Sequence, residues 1–500
     1  TWCSKYLICS RSSRSQFGGK NQSDALVCFP TVGTSRSGHK MTNLNIQSST
    51  LVSKSSKTKK RLVIAFFSLS NCFIATCVSL PAPFYPFEAS QKGATPGSFG
   101  FVLGVFELTV FICNPIFAKV LTKIEPTFIF SSGLFLTGIT TIAFGFLDLI
   151  DNVHLFIGMS ILLRVLQGVG ESAFTLADFS ISTCLYPESA STVFSIMETS
   201  WSLGIIIGPT LGGSLYGIGG FAAPFAAVGI NLVVFAAISV WLTCADINFS
   251  VNPENNTKGV WYLLKIGKIR AAVLSIVLTT FSFGYLDAIL GLHLSEYGLG
   301  PTLVGIVFIA TGFWYGLSTL FWGFLIIKYF TNYYGLLIGI VLQTIGYMFF
   351  GPNLINNFQS SLAVDILMQC IIGIGMGGVL ISAFNVEEQI ALESGFCPGI
   401  YTYSIITAIW ASSFSLGYFL GPTTMGLILD HTNITTTNYV MMFLFLSVVI
   451  YLIIFIHKEK IAFKISAEKL LKKDIPASIQ NNYGTLSEPN RTQNSDEDKK

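Results

Sequence analysis

Four acidic residues stand inside long apolar stretches of the sequence, where a charge is expensive. They are Glu107, Glu171, Glu198 and Asp287, and the basic residue in a comparable setting is Arg164. A charge at the centre of a membrane helix costs about 2.5–3.5 kcal/mol on insertion scales, so such side chains usually face a cavity or a partner. Because the acids outnumber the bases, the pattern favours a site that binds cations or protons.

Each of these residues has two interpretations. Asp287 is the first candidate ligand for a substrate or a proton, or else a hydrogen-bond acceptor near the membrane boundary. Glu198 and Glu107 either bind substrate and carry protons, or pair with Arg164 and add polarity to the packing. Tyr285 either packs or offers its ring to an amine by a cation–π contact. No catalytic residue is expected, because neither HExxH nor GxSxG occurs and the five histidines are dispersed.

The residues around Arg164 recur at intervals of three and four, which places them on one helix face. Arg164 and Glu171 are two turns apart, about 10 Å along the axis, which is too far for a direct ion pair. We therefore expect each to meet another helix, with Arg164 as the partner of an acid rather than a ligand of a cation. Asp178 is expected at the membrane interface, and Glu387 and Glu388 in solvent. The polar face comprises Arg164, Gln167, Gly168, Glu171, Thr175 and Asp178.

The composition indicates an all-α polytopic membrane protein. Of the 500 residues, 51% are hydrophobic and 11% are charged, against about 25% charged in soluble domains. The net charge of +3 does not indicate nucleic acid as a partner, and the ten cysteines include no CxxC pair, so no metal is expected. Since a bilayer needs roughly 20 apolar residues per helix, about twelve spans are predicted. They are 62–84, 97–118, 127–148, 154–180, 191–213, 221–244, 270–292, 302–327, 333–351, 363–384, 401–429 and 437–456.

These spans form two predicted six-helix halves, 61–244 and 270–456, joined by a cytosolic loop at 245–269. Segment 1–60 is expected to be disordered and segment 457–500 to be a solvated tail, because both are polar. The part before Met41 is expected to be an over-extension of the gene rather than a signal peptide, because it lacks an apolar segment with a cleavage site.

Basic residues predict the orientation. Lysines and arginines concentrate in both tails, the central loop and the connection after helix 2, so both termini are expected in the cytosol. The sequon at Asn433 then lies on the opposite side, where glycosylation is possible. The basic residues are Lys54, Lys57, Lys59, Lys60, Arg61, Lys119, Lys123, Lys258, Lys265, Lys268, Arg270, Lys458, Lys460 and Lys464.

A pattern of glycines and a proline occurs once in each predicted half. Glycines four residues apart share a helix face and let a neighbouring helix approach closely, while the proline bends the helix. The same pattern six helices later indicates a duplicated unit, and these residues are expected to serve conformational change rather than ligand binding. The copies are Gly204, Gly208, Pro209, Gly212 and Gly213 in helix 5, and Gly417, Gly421, Pro422 and Gly426 in helix 11.

These motifs resemble those of a known family. Arg164, Gln167, Gly168 and Gly170 are similar to the helix-4 signature of the major facilitator superfamily, and the helix-5 pattern is similar to its antiporter motif. Within residues 60–456 the chain further resembles the vesicular amine transporter family, in particular its polyamine transporters. The residues that carry this likeness are Pro83 to Pro86, Glu88, Lys92 to Ala94, Phe106 to Leu108, Met197 to Thr199 and Tyr285 to Asp287.

The resemblance implies proton-coupled antiport of a small cationic amine, a polyamine or a monoamine, into an acidic organelle such as a secretory or synaptic-type vesicle. It implies a monomer that uses the proton gradient and no other cofactor. The loop signature between helices 2 and 3 departs from the superfamily at Ala118, Thr122 and Glu125. The acids of monoamine transporters in helices 10 and 11 are missing near Gly378 and Ala411, which favours other amines.

Two further functions stay open at this stage. One is transport of another small organic solute at a vesicle or the plasma membrane, because the superfamily motifs do not specify the substrate. The other is a non-transporting membrane sensor or scaffold, which the degraded loop signature allows. Both the intact Arg164 motif and the costly buried acids favour a transporter over a sensor.

Overall fold

The structure, a computed structural model, describes a chain built from long helices. The described residues are 57–81, 84–243, 259–295, 297–298, 301–329, 332–351, 361–429 and 431–473. Within those ranges twelve helices have 18 residues or more, and ten of these are long and apolar enough to cross a membrane. The all-α membrane fold predicted from the sequence is confirmed. Most of the predicted N-terminal segment and of the central loop, and the end of the tail, lie outside the described residues.

The long helices alternate with short connections, several of which contain a proline at the next helix start. Proline suits the first helical position because the amide that it lacks has no partner there, and α3, α4 and α10 begin with one. In chain order the helices are α1 (Lys57–Ser79), α2 (Tyr85–Gln91), α3 (Pro96–Val120), α4 (Pro126–Gly145), α5 (Val153–Leu185), α6 (Ala190–Gly219), α7 (Ala222–Thr243), α8 (Val260–Leu264), α9 (Gly267–Ser295), α10 (Pro301–Tyr329), α11 (Asn332–Phe349), α12 (Leu362–Glu393), α13 (Ile400–Leu429) and α14 (Ile434–Lys473).

The duplicated glycine patterns pack in equivalent ways in the two halves. In α6, a methyl group at Gly204 would overlap with the Cys72 carbonyl of α1 and lie 2.6 Å from the Ala75 side chain. In α13, a methyl group at Gly417 would overlap with the Val277 carbonyl of α9. Backbones that meet this closely tolerate no side chain between them. The glycines therefore set the α1–α6 and α9–α13 contacts.

The prolines of both patterns lie inside their helices. Pro209 is within α6 and Pro422 within α13. The ring of Pro422 approaches α9, because a methyl group at Gly284 would lie 2.6 Å from its Cδ atom. Each half thus has a proline-containing helix packed on its first helix.

Several helices continue beyond the apolar runs. Disorder is predicted up to residue 60, but α1 begins at Lys57. Helix α9 begins at Gly267, inside the predicted central loop, and α14 continues to Lys473, inside the predicted tail. Lysine and glutamate are good helix formers, so a helix does not stop where its apolar run stops.

Two expectations about acidic residues are wrong for the same reason. Helix α12 passes residue 384 and ends only before Gly395, whose φ of +89° is typical of a helix C-terminus. Glu387 and Glu388 therefore lie inside the helix, and Glu387 is fully buried. Helix α5 likewise runs on to Leu185, so Asp178 is fully buried instead of interfacial.

Candidate functional site

A cavity lies between the two halves, bounded by α3, α5 and α6 on one side and by α13 on the other. Its volume is about 30 Å³, room for a water molecule but not for an organic solute. Two buried carboxylates line it, those of Glu107 and Glu171, each 4% exposed. Its other walls include four aromatic rings, those of Phe179, Trp201, Trp410 and Phe414.

The charged side chains that line this cavity, among the described residues, are all acidic. Glu171 has a carboxylate oxygen, Oε2, without a hydrogen-bond partner among the described residues. Glu107 lines the cavity together with Ser415 of the opposite half. None of the described lining residues is basic. Carboxylates and aromatic faces both attract organic cations, so the cavity is chemically suited to an ammonium group.

Arg164 lies two turns from Glu171 on α5 and does not line the cavity. It is 2% exposed, and its Nη1 donates to Oε1 of Gln167 at 3.2 Å. Its guanidinium lies over the rings of Phe106 at 5.4 Å and Phe144 at 5.2 Å. No ion pair of Arg164 with an acid occurs among the described residues. The expected acidic partner is thus replaced by an amide and two aromatic faces.

Gln167 and Gly168 complete the setting of Arg164. The Nε2 atom of Gln167 donates to the Thr141 hydroxyl of α4 at 3.2 Å. A methyl group at Gly168 would lie 2.8 Å from the Phe106 carbonyl of α3. The contacts of Gln167 and Gly168 thus join α5 to α4 and α3. Of the polar face predicted on this helix, only Glu171 and Thr175 are among the described residues that line the cavity.

Glu198 lies outside the cavity, at the contact between α6 and α10. It is 1% exposed, and the Tyr315 hydroxyl of the other half donates a hydrogen bond to its carboxylate. Thr199 continues this contact, with Oγ1 donating to the Gly316 carbonyl at 3.1 Å. Ser202 Oγ donates to the Gly312 carbonyl at 2.6 Å. The pairing of Glu198 with Tyr315 was not predicted, although the spacing of Gly312, Tyr315 and Gly316 marks a helix face.

Of the two candidates on α9, the structure describes the side chain of Tyr285 only. Tyr285 is fully buried, and its hydroxyl donates to Asn438 and lies 3.0 Å from the Thr437 hydroxyl of α14. Its ring packs inside the protein and is not among the described residues that line the cavity. Asp287 belongs to α9, but its side chain lies outside the described residues.

Aromatic rings pack together next to the cavity, where α5 and α12 end and α6 and α13 begin. The rings of Phe194 and Phe384 stack at 3.8 Å across the two halves. Trp410 lies 5.0 Å from Phe194 and 6.2 Å from Phe179. We call these four residues the aromatic cluster. The stack of Phe194 on Phe384 joins the two halves beyond the cavity.

Asn433 is exposed immediately before α14. Its Oδ1 accepts a hydrogen bond from the Thr436 amide at 2.9 Å, which caps the helix. Glycosylation of its side chain stays a prediction.

The sequence matches the model of the Major Facilitator Superfamily over residues 67–404 and again over 272–490. The chain belongs to the major facilitator superfamily. Among curated relatives, the human MFS-type transporter SLC18B1 is 31% identical over 356 residues, covering 71% of this chain and 77% of the relative. The mouse MFS-type transporter SLC18B1 is 30% identical over 346 residues, covering 69% of this chain and 75% of the relative.

Solved structures agree with the superfamily at the level of the fold. The human organic anion transporter MFSD10 (TETRAN) superposes with a TM-score of 0.62 at 14% identity, over 79% of this chain and 99% of that one. The resemblance inferred from the helix-4 and helix-5 motifs is confirmed. This major facilitator chain is a multi-pass membrane transporter, a class of protein that moves solutes rather than converting them.

Proposed function

We propose that this transporter exchanges protons for a cationic amine, with a polyamine as its preferred substrate class. The observation that carries the proposal is the cavity between the halves, which combines the carboxylates of Glu107 and Glu171 with four aromatic rings and no described basic side chain. A cation leaving water needs negative charge and polarisable surface to replace its hydration, and this lining supplies both.

The exchange follows from competition for carboxylates. A buried carboxylate binds either a proton or an ammonium group, because each neutralises a charge that is costly in a membrane. A proton taken up on one side is then released when the amine occupies the same group. Alternating access by rocking of the two halves would expose the cavity to each side in turn.

Glu198 is the second part of the proposal. It bridges the halves through Tyr315 without touching the cavity, so its protonation would alter the contact between the halves rather than the substrate site. We assign the cavity acids to the substrate and protons, and Glu198 to the coupling of proton binding with rocking. The proposed setting is an organelle with an acidic lumen, both termini being cytosolic.

The test is uptake by purified protein in proteoliposomes with an acidic interior. Spermidine and spermine are expected to accumulate, serotonin less so, and a protonophore is expected to abolish accumulation. Glu107→Gln and Glu171→Gln are each expected to lower uptake by about tenfold or more, the factor that about 1.4 kcal/mol of lost binding gives.

The matched control is Glu188→Gln, which makes the same change at an exposed acid between α5 and α6. Uptake by this control should equal that of the wild-type protein. Full uptake by both cavity variants, or no amine uptake by folded wild-type protein, would overturn the proposal.

A further inference from the structure

A group of basic side chains lies at the end of the C-terminal half where α9 begins and α14 ends. Helix α8 leads into α9, and Nη1 of Arg270 donates to the Lys265 carbonyl at 2.6 Å, just after α8. Nζ of Lys268 forms an ion pair with Oε2 of Glu459 on α14 at 3.0 Å. These contacts join α8, the start of α9 and the end of α14 into one surface.

The charge of this surface is strongly positive. In residues 260–270 and 457–464, Glu459 is the acid that the sequence provides, and Lys268 already neutralises it. Nζ of Lys460 lies over the ring of Tyr334 on α11 at 5.2 Å, so this lysine stays close to the protein. The remaining basic side chains are exposed and carry a surplus of positive charge. The basic residues of the two segments are Lys265, Lys268, Arg270, Lys458, Lys460 and Lys464.

An aromatic ring projects from the same surface. Trp261 on α8 is 73% exposed, whereas Leu263 of the same helix is fully buried and holds it on the protein. Tryptophan is enriched where a membrane meets water, because its ring is apolar and its N–H is polar. Helix α8 immediately precedes the apolar span of α9, which begins at Gly267. Trp261 therefore lies at the level of the lipid headgroups.

This combination selects the chemistry of a partner. Lysine and arginine at the ends of membrane helices extend their charged groups into the headgroup layer. Each basic residue beside a membrane raises the affinity for anionic phospholipids by about fivefold. A dissolved anion would engage the lysines alone, whereas a phospholipid offers a phosphate to the lysines and an interface to the indole. The exposed ring of Trp261 thus favours a lipid over a soluble anion.

We propose that α8, the start of α9 and the end of α14 form a binding surface for the headgroups of anionic phospholipids. None of its basic residues is among the described residues that line the central cavity, so this surface is separate from the site of the proposed function. In the proposed orientation it faces the cytosol, and the cytosolic leaflet is the one that carries anionic lipids.

Lipid bound here would act on the contact between α9 and α14. Positive charges on the two helices repel each other, and an anionic headgroup near both reduces that repulsion. Helix α9 also packs on the glycines of α13, where a methyl group at Gly421 would lie 3.0 Å from the Tyr285 amide. Anionic lipid would thus stabilise the helix on which this glycine-containing contact is built.

Quenching of Trp261 fluorescence by brominated phospholipids tests this surface in the full chain. The chain has seven tryptophans, so the Trp261 signal is the difference between wild-type and Trp261→Phe protein. Proteoliposomes of phosphatidylcholine receive increasing fractions of either brominated phosphatidylserine or brominated phosphatidylcholine. We expect half-maximal quenching at a mole fraction of the serine lipid that is lower by about tenfold or more, because several basic residues contribute.

Two triple variants, each with and without Trp261→Phe, show whether these basic residues cause the preference. Protein carrying Lys265→Gln, Lys458→Gln and Lys464→Gln should be quenched equally by both lipids. The matched control loses three exposed charges of the other half through Arg61→Gln, Lys119→Gln and Lys123→Gln, and it should keep the preference.

Equal quenching of Trp261 by the two lipids in otherwise wild-type protein would overturn the proposal. So would a preference that survives in the first triple variant, or one that the control variant loses to the same extent. All the substituted side chains are exposed, so these proteins are expected to fold, and the comparison of the two lipids needs no lysine variant.

Inorganic phosphate distinguishes a lipid surface from a site for free phosphate. At equal ionic strength, phosphate and sodium chloride should change the lipid preference equally. Displacement of the serine lipid by phosphate beyond the effect of chloride would overturn the assignment to lipid. No amine is present in these measurements, so failure of the transport proposal and failure of the lipid surface are separate results.

Discussion

At the scale of single residues, the acids of the membrane interior are informative because each must be compensated. The sequence singles out Glu107, Glu171 and Glu198 from their apolar surroundings, and the structure buries all three. What the sequence does not provide is the group that faces each one. Among the described residues, Arg164 contacts Gln167 and two rings instead of an acid, because a helical repeat defines a face but not the helix packed against it.

Tyr315 was not predicted from the sequence to be part of the site, and its role as the hydrogen-bond donor to Glu198 can be tested. Tyr315→Phe removes the donor to the Glu198 carboxylate and leaves a buried acceptor unsatisfied. We expect the free energy of unfolding to fall by about 1–3 kcal/mol, the usual cost of such a loss. Thermal unfolding in detergent measures it.

Tyr451→Phe is the control for this change, because Tyr451 is 38% exposed on α14. It should unfold like the wild-type protein. If the two variants unfold at the same temperature, the Glu198–Tyr315 bond contributes nothing to the contact between the halves.

At the scale of helices, the glycine patterns act because a glycine has no side chain to separate two helix backbones. Gly204 faces the α1 backbone, with the Ala75 side chain and the Thr76 amide within 3.0 Å of an added methyl group. Gly213, in the same helix, has no atom within 4 Å of such a group. The two glycines therefore form a natural pair for comparison.

Gly204→Ala is expected to lower the free energy of unfolding by about 1–3 kcal/mol, as overpacking does. It is also expected to slow uptake, because α1 and α6 must move apart to accommodate the added methyl group. Gly213→Ala should leave both unchanged. Thermal unfolding and initial uptake rates measure the two effects. A Gly204→Ala protein as stable and active as the Gly213→Ala protein would show that close approach is not required.

The ends of the helices show the limit of prediction from sequence. Apolar runs locate the centres of the spans, because twenty apolar residues have no other stable place than a bilayer. They do not locate the ends, which depend on capping residues and on glycines such as Gly395. Glu387 was therefore assigned to solvent, although α12 continues past it and buries it.

At the scale of the whole molecule, the duplication was the feature most easily predicted from the sequence. The glycine and proline spacing of α6 recurs in α13, with Met425 in place of Gly212, and indicates two related halves. The structure packs α6 on α1 and α13 on α9 in equivalent ways. The cavity was harder to predict from the sequence. It combines acids from α3 and α5 with Trp410 and Phe414 from α13, and nothing in the spacing of one helix reveals its neighbours in another half.

The structure also explains why the cavity is small. Phe194 and Phe384 stack across the halves at one end, and Glu198 bonds to Tyr315 beside it. An organic amine needs a larger space, so binding must accompany separation of helices. In this account, protons and amine each neutralise the same carboxylates, and the halves move only when those charges are neutralised.

The most direct measurement is the release of protons when the amine binds. Spermidine is added to purified protein in weakly buffered detergent at mildly acidic pH, and an indicator dye reports the protons that appear. We predict a release that saturates with spermidine, that persists in Glu188→Gln protein, and that disappears in protein carrying both Glu107→Gln and Glu171→Gln. Spermidine binding, shown by calorimetry, without any release of protons would contradict exchange on shared carboxylates.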